Sequence, residues 1–233
     1  MGNSIISSFY NGCIVSCQAL EGESLYGSNI MAAMAQAAER GGAVGIRANT
    51  PEDIKAIKEV CSLPVIGLYK QDYPDSAVYI TPTFKEVSEI IEAGAEIVAM
   101  DATKQPRPNG ETLAGLISQI REHYPQTLIL ADVSTYEEGV QAMELGVDLV
   151  STTLSGYTPY SLQQEEPDIE LVGKLAGLKR TPVLAEGRIW TVEQCQECFR
   201  QGAYAVIIGT AITRPTEITK RFVRSIGLVT EAK

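Results

Sequence analysis

Short apolar segments recur along the chain, each followed by turn residues and then by a stretch with apolar residues at helical spacing. The apolar segments are nearly continuous at their start, which is typical of parallel strands covered on both faces. The predicted strands cover residues 13–19, 43–48, 65–70, 97–103, 128–134, 149–154, 183–189 and 205–210. The predicted helices cover residues 29–40, 51–61, 84–93, 112–124, 136–145, 168–178, 192–201 and 216–225.

Residues at the ends of the predicted helices support these bounds. Thr50 supplies a capping hydroxyl, and Pro51 then occupies the first helical position. A second signal repeats before four strands, where a glycine can end the preceding helix in the left-handed conformation. These glycines are Gly42, Gly94, Gly146 and Gly202.

Eight strand–helix units with short links predict a (β/α)8 TIM barrel. Right-handed crossovers allow either a closed barrel or an open doubly wound sheet. An open sheet would need a Gly-rich loop of the form G-x-G-x-x-G after an early strand, and the chain has none. The length of 233 residues and the hydrophobic fraction of 45% suit one barrel domain over residues 1–233.

The charge balance narrows the range of partners. Nineteen basic and 29 acidic residues give a net charge of −10, which argues against nucleic acid and against an anionic membrane surface. No apolar run approaches the roughly 18 residues of a membrane span. Residues 1–10 hold no basic residue and no apolar core of a signal peptide, so we expect none.

The five cysteines predict reduced thiols in the cytoplasm, because an odd number in a chain with an ample core does not suggest a disulfide framework. Cys195 and Cys198 have metal-ligand spacing. They have no second pair and no nearby histidine, so we expect two cysteines on a helix face.

Polar residues gather where the predicted strands end. They are Gln18, Arg47, Lys70, Asp101, Thr103, Asp132, Thr152, Thr153, Glu186 and Arg188. In this kind of barrel the carboxyl ends of the strands usually carry the chemistry. An unpaired charge buried there would cost several kcal/mol, so a merely structural role for all of them is a poor explanation. We therefore expect the active site at this end.

The ends of the last two strands predict a phosphate site. Gly187 and Arg188 close strand seven, and Gly209 and Thr210 close strand eight. Glycine lets the backbone approach an anion, and N–H groups at a helix start point toward it. Arg214 follows and could add a charge-assisted contact.

The only histidine, His123, lies late in a predicted helix, away from the strand ends. Barrel enzymes that use transition metals build the site from several histidines, so we expect no metal. A Ser-His-Asp or Cys-His nucleophile is excluded on the same ground. The chemistry is therefore expected to use lysine, carboxylates and ordered donors.

Seven segments at the strand ends resemble the N-acetylmannosamine-6-phosphate 2-epimerase family, in the family's order. They are 16–19 (SCQA), 44–48 (VGIRA), 65–70 (VIGLYK), 99–103 (AMDAT), 130–134 (LADVS), 185–188 (AEGR) and 208–215 (IGTAITRP). The resemblance implies reversible interconversion of N-acetylmannosamine 6-phosphate and N-acetylglucosamine 6-phosphate, a step of sialic acid catabolism, with no cofactor. It also suggests a homodimer.

By the same resemblance, Lys70 and Glu186 are catalytic. Four further residues would contact the sugar or its phosphate: Gln18, Arg47, Asp132 and Arg214.

The reaction itself sets demands on these residues. Inverting C2 beside a C1 aldehyde requires removal of an α-proton and stabilisation of an enolate oxygen. Lys70 can be the base only if burial and Arg47 depress its pKa. Glu186 could be a proton relay or an acid on the opposite face, and the sequence leaves this choice open.

Three other functions stay open on the residues alone. Lys70 could form a Schiff base in a sugar-phosphate aldolase. The Asp101–Lys104 segment is loosely similar to the Asp-x-Lys of phosphate-barrel decarboxylases, but the spacing differs by one residue. A barrel that only binds a sugar phosphate would be expected to lack the acid or base, whereas Lys70 and Glu186 are both present.

Overall fold

Eight parallel strands close into a barrel in the order β1 to β8, and β8 pairs with β1. The computed structural model describes residues 4–231, and side chains over residues 4–226. The strands are β1 Cys13–Cys17, β2 Gly45–Asn49, β3 Val65–Leu68, β4 Ile97–Asp101, β5 Leu128–Asp132, β6 Leu149–Ser151, β7 Val183–Glu186 and β8 Ala205–Ile208.

The helices alternate with these strands. They are α1 Ser4–Ser8, α2 Ser28–Arg40, α3 Pro51–Val60, α4 Phe84–Glu92, α5 Leu113–His123, α6 Tyr136–Glu144, α7 Ile169–Ala176, α8 Val192–Arg200, α9 Thr210–Thr213 and α10 Pro215–Glu231, with a 3-10 turn at Pro108–Gly110. The predicted (β/α)8 TIM barrel is thus confirmed. The predicted domain bounds 1–233 include residues 1–3 and 232–233, which lie outside the described residues.

Every predicted strand has a counterpart, but the prediction carried seven of the eight too far at the carboxyl end, the exception being β2, which ends at Asn49 instead of residue 48. β3 ends at Leu68, so Lys70 lies two residues beyond it, in an isolated antiparallel bridge with Ile80. β8 ends at Ile208, and Thr210 opens the short helix α9, which the sequence analysis missed. The apolar pattern continues past the last ladder hydrogen bond, so it marks burial better than it marks pairing.

The alternation of inward-facing and outward-facing side chains along the strands determines which residues reach the carboxyl end of the barrel interior. Ile66, Leu130 and Leu184 belong to the apolar cluster that fills the barrel. Successive strand residues point to opposite faces, so residues two positions further along point inward as well. This places Asp132 and Glu186 directly above the apolar layers, at the carboxyl end of the barrel.

The predicted helix ends are confirmed. The Thr50 hydroxyl accepts a hydrogen bond from the Asp53 amide, with Pro51 in the first turn. The four glycines that precede strands all have positive φ, between 79° and 107°. These caps turn the chain directly from each helix into the next strand.

The cysteine pair and the histidine that the sequence analysis considered lie on helices, outside the strands of the barrel. Cys195 and Cys198 lie on α8, and all five cysteines are free thiols. His123 is the last residue of α5, which ends on the side where β5 begins. Across the described residues, no helix is long and apolar enough to span a membrane.

Candidate active site

A cavity of about 640 Å³ opens at the carboxyl ends of the strands. Nine of the ten predicted site residues line it: Gln18, Arg47, Lys70, Glu186, Gly187, Arg188, Gly209, Thr210 and Arg214. The tenth, Asp132, is fully buried beside the cavity and contacts Arg47. The structure therefore brings residues from six separate segments of the chain into one site.

Arg47 is the centre of the charged network. Its Nη1 and Nη2 donate to Oδ1 and Oδ2 of Asp132 at 2.9 and 2.6 Å. Its Nη1 also lies 3.1 Å from Oε2 of Glu186. Two carboxylates around one guanidinium offset the cost of burying the charges, and the planar fork fixes their relative orientation.

Glu186 is held among polar groups at the end of β7. The hydroxyl of Thr153 lies 2.7 Å from its Oε2, and the Ser151 hydroxyl lies 3.5 Å from the same atom. Burial raises the pKa of the Glu186 carboxyl, against the opposing effect of Arg47, and the Asp132 charge raises it further. Glu186 therefore holds a proton more readily than an ordinary glutamate does.

Lys70 lies at the wall of the same cavity. Burial lowers its pKa to about 8, and the positive charges of Arg47 and Arg214 act in the same direction. Glu186 and Asp132 oppose this shift. With a pKa of about 8, roughly one lysine in ten is neutral at pH 7, whereas the unperturbed group is almost wholly protonated.

The predicted phosphate end has distinctive backbone geometry. Gly187 and Arg188 have φ values of 110° and 58°, and Gly209 immediately precedes α9. A side chain at 209 would crowd Ser16, because a Cβ there would lie 3.2 Å from the Ser16 Cβ. In α9, which begins at Thr210, the amides of Ile212 and Thr213 donate to the Gly209 carbonyl at 2.8 and 2.9 Å, which leaves the amides of Thr210 and Ala211 at the open start of the helix.

The two arginines at this end already have partners. Nη1 and Nε of Arg188 donate to the carbonyls of Ser155 and Glu166, at 2.6 and 2.9 Å. The Arg188 guanidinium therefore holds the β6–α7 loop in place. Nη2 of Arg214 lies 3.0 Å from Oε1 of Glu23, in a pair that is partly exposed.

Asp101 and Thr103, both predicted at the end of strand four, do not reach the cavity. Asp101 is only 1% exposed, and Oδ1 of its carboxylate accepts the Thr103 amide. The Arg107 guanidinium donates to the main-chain carbonyl of Asp101 instead of forming a salt bridge with the Asp101 carboxylate. Burial raises the pKa of Asp101 to about 6. Asp101 and Thr103 therefore lie outside the lining of the cavity and stabilise the structure around it.

The structure adds residues that the sequence analysis missed. Asn49 accepts the Lys70 amide at 2.9 Å and so fixes the backbone that carries the lysine. It lies two positions after Arg47, and that inward alternation could have identified it. Tyr79 lines the cavity from the β3–α4 loop, and burial raises its pKa to about 12. No periodic pattern indicates where a loop residue lies.

Gln18 brings an unused acceptor to the cavity. Its Nε2 donates to the Ser16 hydroxyl at 2.9 Å, while its Oε1 is buried without a partner among the described residues. A buried acceptor of this kind is costly unless a ligand supplies a donor.

Across the described residues, the His, Cys, Asp and Glu side chains form no cluster suited to a metal ion.

The comparisons with known proteins agree with one another. A family model described as "Putative N-acetylmannosamine-6-phosphate epimerase" matches residues 31–228. A protein of Caldanaerobacter subterraneus subsp. tengcongensis with the corresponding 2-epimerase name is 59% identical, over 95% of this chain and 94% of that one. One of Listeria monocytogenes with the same name is 48% identical, over 100% and 99%.

A solved structure extends this similarity to three dimensions. It is the N-acetylmannosamine-6-phosphate 2-epimerase from Clostridium perfringens, with a TM-score of 0.92 and 49% sequence identity. The alignment covers 96% of this chain and 97% of that one.

Proposed function

This chain belongs to the N-acetylmannosamine-6-phosphate epimerase family, and on that premise we propose that it interconverts N-acetylmannosamine 6-phosphate and N-acetylglucosamine 6-phosphate. The reaction is an epimerisation at C2, and we place it in sialic acid catabolism. The observation that carries the proposal is Lys70, a half-buried lysine with a pKa of about 8 at the wall of a charged cavity.

Lys70 supplies the base. The opened sugar has an aldehyde at C1, which makes the C2 proton acidic. Neutral Lys70 removes this proton, and inversion requires that a proton be returned to the opposite face of the planar enolate, for which Glu186 is the second group of the cavity. The Arg47 guanidinium lines the same cavity and stabilises negative charge on the enolate oxygen.

Glu186 takes the part of a proton relay. It shares Arg47 with Asp132, and its raised pKa suits a group that accepts a proton and passes it on. Gln18 is assigned to the sugar, because its unpartnered Oε1 can accept a hydroxyl or amide hydrogen. Asp132 acts through Arg47, whose orientation it fixes.

The phosphate is assigned to the other end of the cavity. Main-chain N–H groups near Gly187, Arg188, Gly209 and Thr210 can donate to its oxygens, and this device works in a protein of net charge −10. Arg214 supplies a positive charge once the phosphate replaces Glu23 as its partner.

A homodimer is part of the proposal. Helix α10 exposes Phe222 and Val223 at 66% and 61% of their surfaces. A separate apolar groove of about 360 Å³ runs along α2 and β1, with Met34 and Ile212 in its lining. Apolar surfaces of this kind on one chain are typical of an interface, and pairing of two copies buries both.

The five free thiols support a reducing compartment, and we propose the cytoplasm.

Proton NMR tests the proposed function. Enzyme is added to each of the two sugar phosphates separately, and we expect both samples to reach the same mixture of epimers. No interconversion from either side would reject the proposal, and cleavage to smaller carbonyl compounds would indicate an aldolase.

A further inference from the structure

One hydroxyl group lies between the two carboxylates of the site. Oγ1 of Thr153 is 2.8 Å from Oδ1 of Asp132 and 2.7 Å from Oε2 of Glu186. Thr153 lies two residues beyond the end of β6 and lines the cavity. Ser151, on the same face of the strand, places its own hydroxyl 2.8 Å from Thr153 Oγ1.

The number of hydrogens makes this contact unusual. A threonine hydroxyl has one proton to donate, and ionised carboxylates only accept. The Asp132 oxygens already receive both Nη atoms of Arg47, whereas Glu186 lies 3.1 Å from one of them. Asp132 thus has two donors already and Glu186 has fewer, so the Thr153 hydroxyl stabilises Glu186 more by donating its proton there.

We propose that Thr153 is a positioning residue. Its hydroxyl donates its single proton to the Glu186 carboxylate and so keeps that carboxylate oriented toward Arg47 and next to Asp132. This inference deepens the proposed function, since Glu186 is the relay there. Without the hydroxyl, the two carboxylates would face a hydrocarbon group, and repulsion would turn Glu186 away from the reacting centre.

The hydroxyl also affects how tightly Glu186 holds a proton. A donor stabilises the charged form of a carboxylate, so its loss raises the pKa. The charged groups that face Glu186 are Arg47 from β2, Asp132 from β5 and Lys70 beyond β3. The hydroxyls of Ser151, at the end of β6, and Thr153, just beyond it, contact Glu186 as well. A hydrogen bond to a charged group corresponds to a pKa change of roughly one to two units.

The test replaces Thr153 by Val, which keeps the shape and removes the hydroxyl, and by Ser, which keeps the hydroxyl. Thr152→Val is the matched control. The Thr152 hydroxyl also contacts Glu186, but it donates to the main-chain carbonyl at 2.9 Å and accepts the amide at 3.1 Å. The titration of Glu186 is followed by NMR of protein labelled with carbon-13 at glutamate carboxyls, and the signal is assigned with Glu186→Gln.

We expect Thr153→Val to raise the apparent midpoint of Glu186 by about one unit or more, and to lower kcat about tenfold with little change in KM. Thr153→Ser should restore both values, and Thr152→Val should leave the midpoint where it is. An unchanged midpoint in Thr153→Val, or an equal shift in Thr152→Val, would overturn the inference. Circular dichroism verifies the fold, and Thr153→Ala provides a second hydroxyl-free variant.

The titration needs no substrate and no turnover. A failure of the proposed epimerase activity in the wild-type protein therefore cannot be mistaken for a failure of this inference.

Discussion

The Arg47 guanidinium and the Asp132 carboxylate form a two-point ion pair in the barrel, and neither side chain is more than 1% exposed. The two residues come from β2 and β5, which lie on different sides of the closed sheet. The pair therefore connects separate parts of the barrel and orients the positive charge that we propose stabilises the enolate oxygen.

Breaking this pair should destabilise the fold. Asp132→Ala leaves the Arg47 charge buried with only part of its compensation, and removal of one partner of a buried pair costs about 3 to 5 kcal/mol. Urea unfolding measures the loss. Lys85→Ala, at an exposed pair with Glu89, is the control and should change stability little. A loss from Asp132→Ala no larger than the control's would show that the pair does not stabilise the barrel.

The pH dependence of turnover should follow Lys70. Only the neutral amine is a base, and it forms as pH rises through a pKa of about 8, so kcat/KM should increase over that range. Arg214→Gln removes a positive charge that lowers this pKa, so the rising limb should move to higher pH. Arg200→Gln, at an exposed pair on α8, should not move it. A limb that stays in place in Arg214→Gln would contradict this electrostatic explanation.

The sequence could predict the barrel because its signals are local. Each strand is a short apolar run, and several helix ends have a capping residue or a glycine, so the eight units could be predicted without knowledge of any long-range contact. The strand ends likewise identified Arg47, Asp132 and Glu186, since residues at the carboxyl ends of a closed barrel must converge.

The contacts between those residues could not be predicted in the same way. Which carboxylate takes both nitrogens of Arg47 depends on the register of strands that are distant in the chain. The partners of Arg188 are carbonyls of the β6–α7 loop, whose path has no periodic signal. Tyr79 arrives from a loop for the same reason. Arg188 was predicted for the phosphate, and its guanidinium is in fact occupied by that loop.

Removal of the phosphate from the substrate should lower kcat/KM by at least about a hundredfold. The phosphate is remote from C2, and its binding energy positions the reacting end of the sugar. Comparison of N-acetylmannosamine with its 6-phosphate under identical conditions measures the effect. Comparable turnover of the two sugars would show that the turns at Gly187 and Gly209 do not bind phosphate.

The proposed dimer should depend on the apolar face of α10. Phe222→Glu places a charge where an apolar surface is expected to be buried, so it should shift the protein from dimer to monomer in sedimentation velocity. Lys220→Glu lies on the same helix but at a polar position with an exposed ion pair, and it should leave the dimer intact. A wild-type protein that sediments as a monomer at micromolar concentration would rule out this assembly.

Exchange of the C2 proton in deuterated water tests the central claim, that Lys70 transfers this proton. Proton NMR of N-acetylmannosamine 6-phosphate with wild-type enzyme should show loss of the C2 proton signal in both epimers. Lys70→Ala should fold normally and lose exchange and epimerisation together, by at least about a thousandfold, within the 10² to 10⁴ typical of general base catalysis. Lys70→Arg should be as inactive, because a guanidinium does not release its proton. Exchange that persists in Lys70→Ala while epimerisation is lost would make Glu186 the abstracting base, and activity within about tenfold of wild type would remove Lys70 from the chemistry.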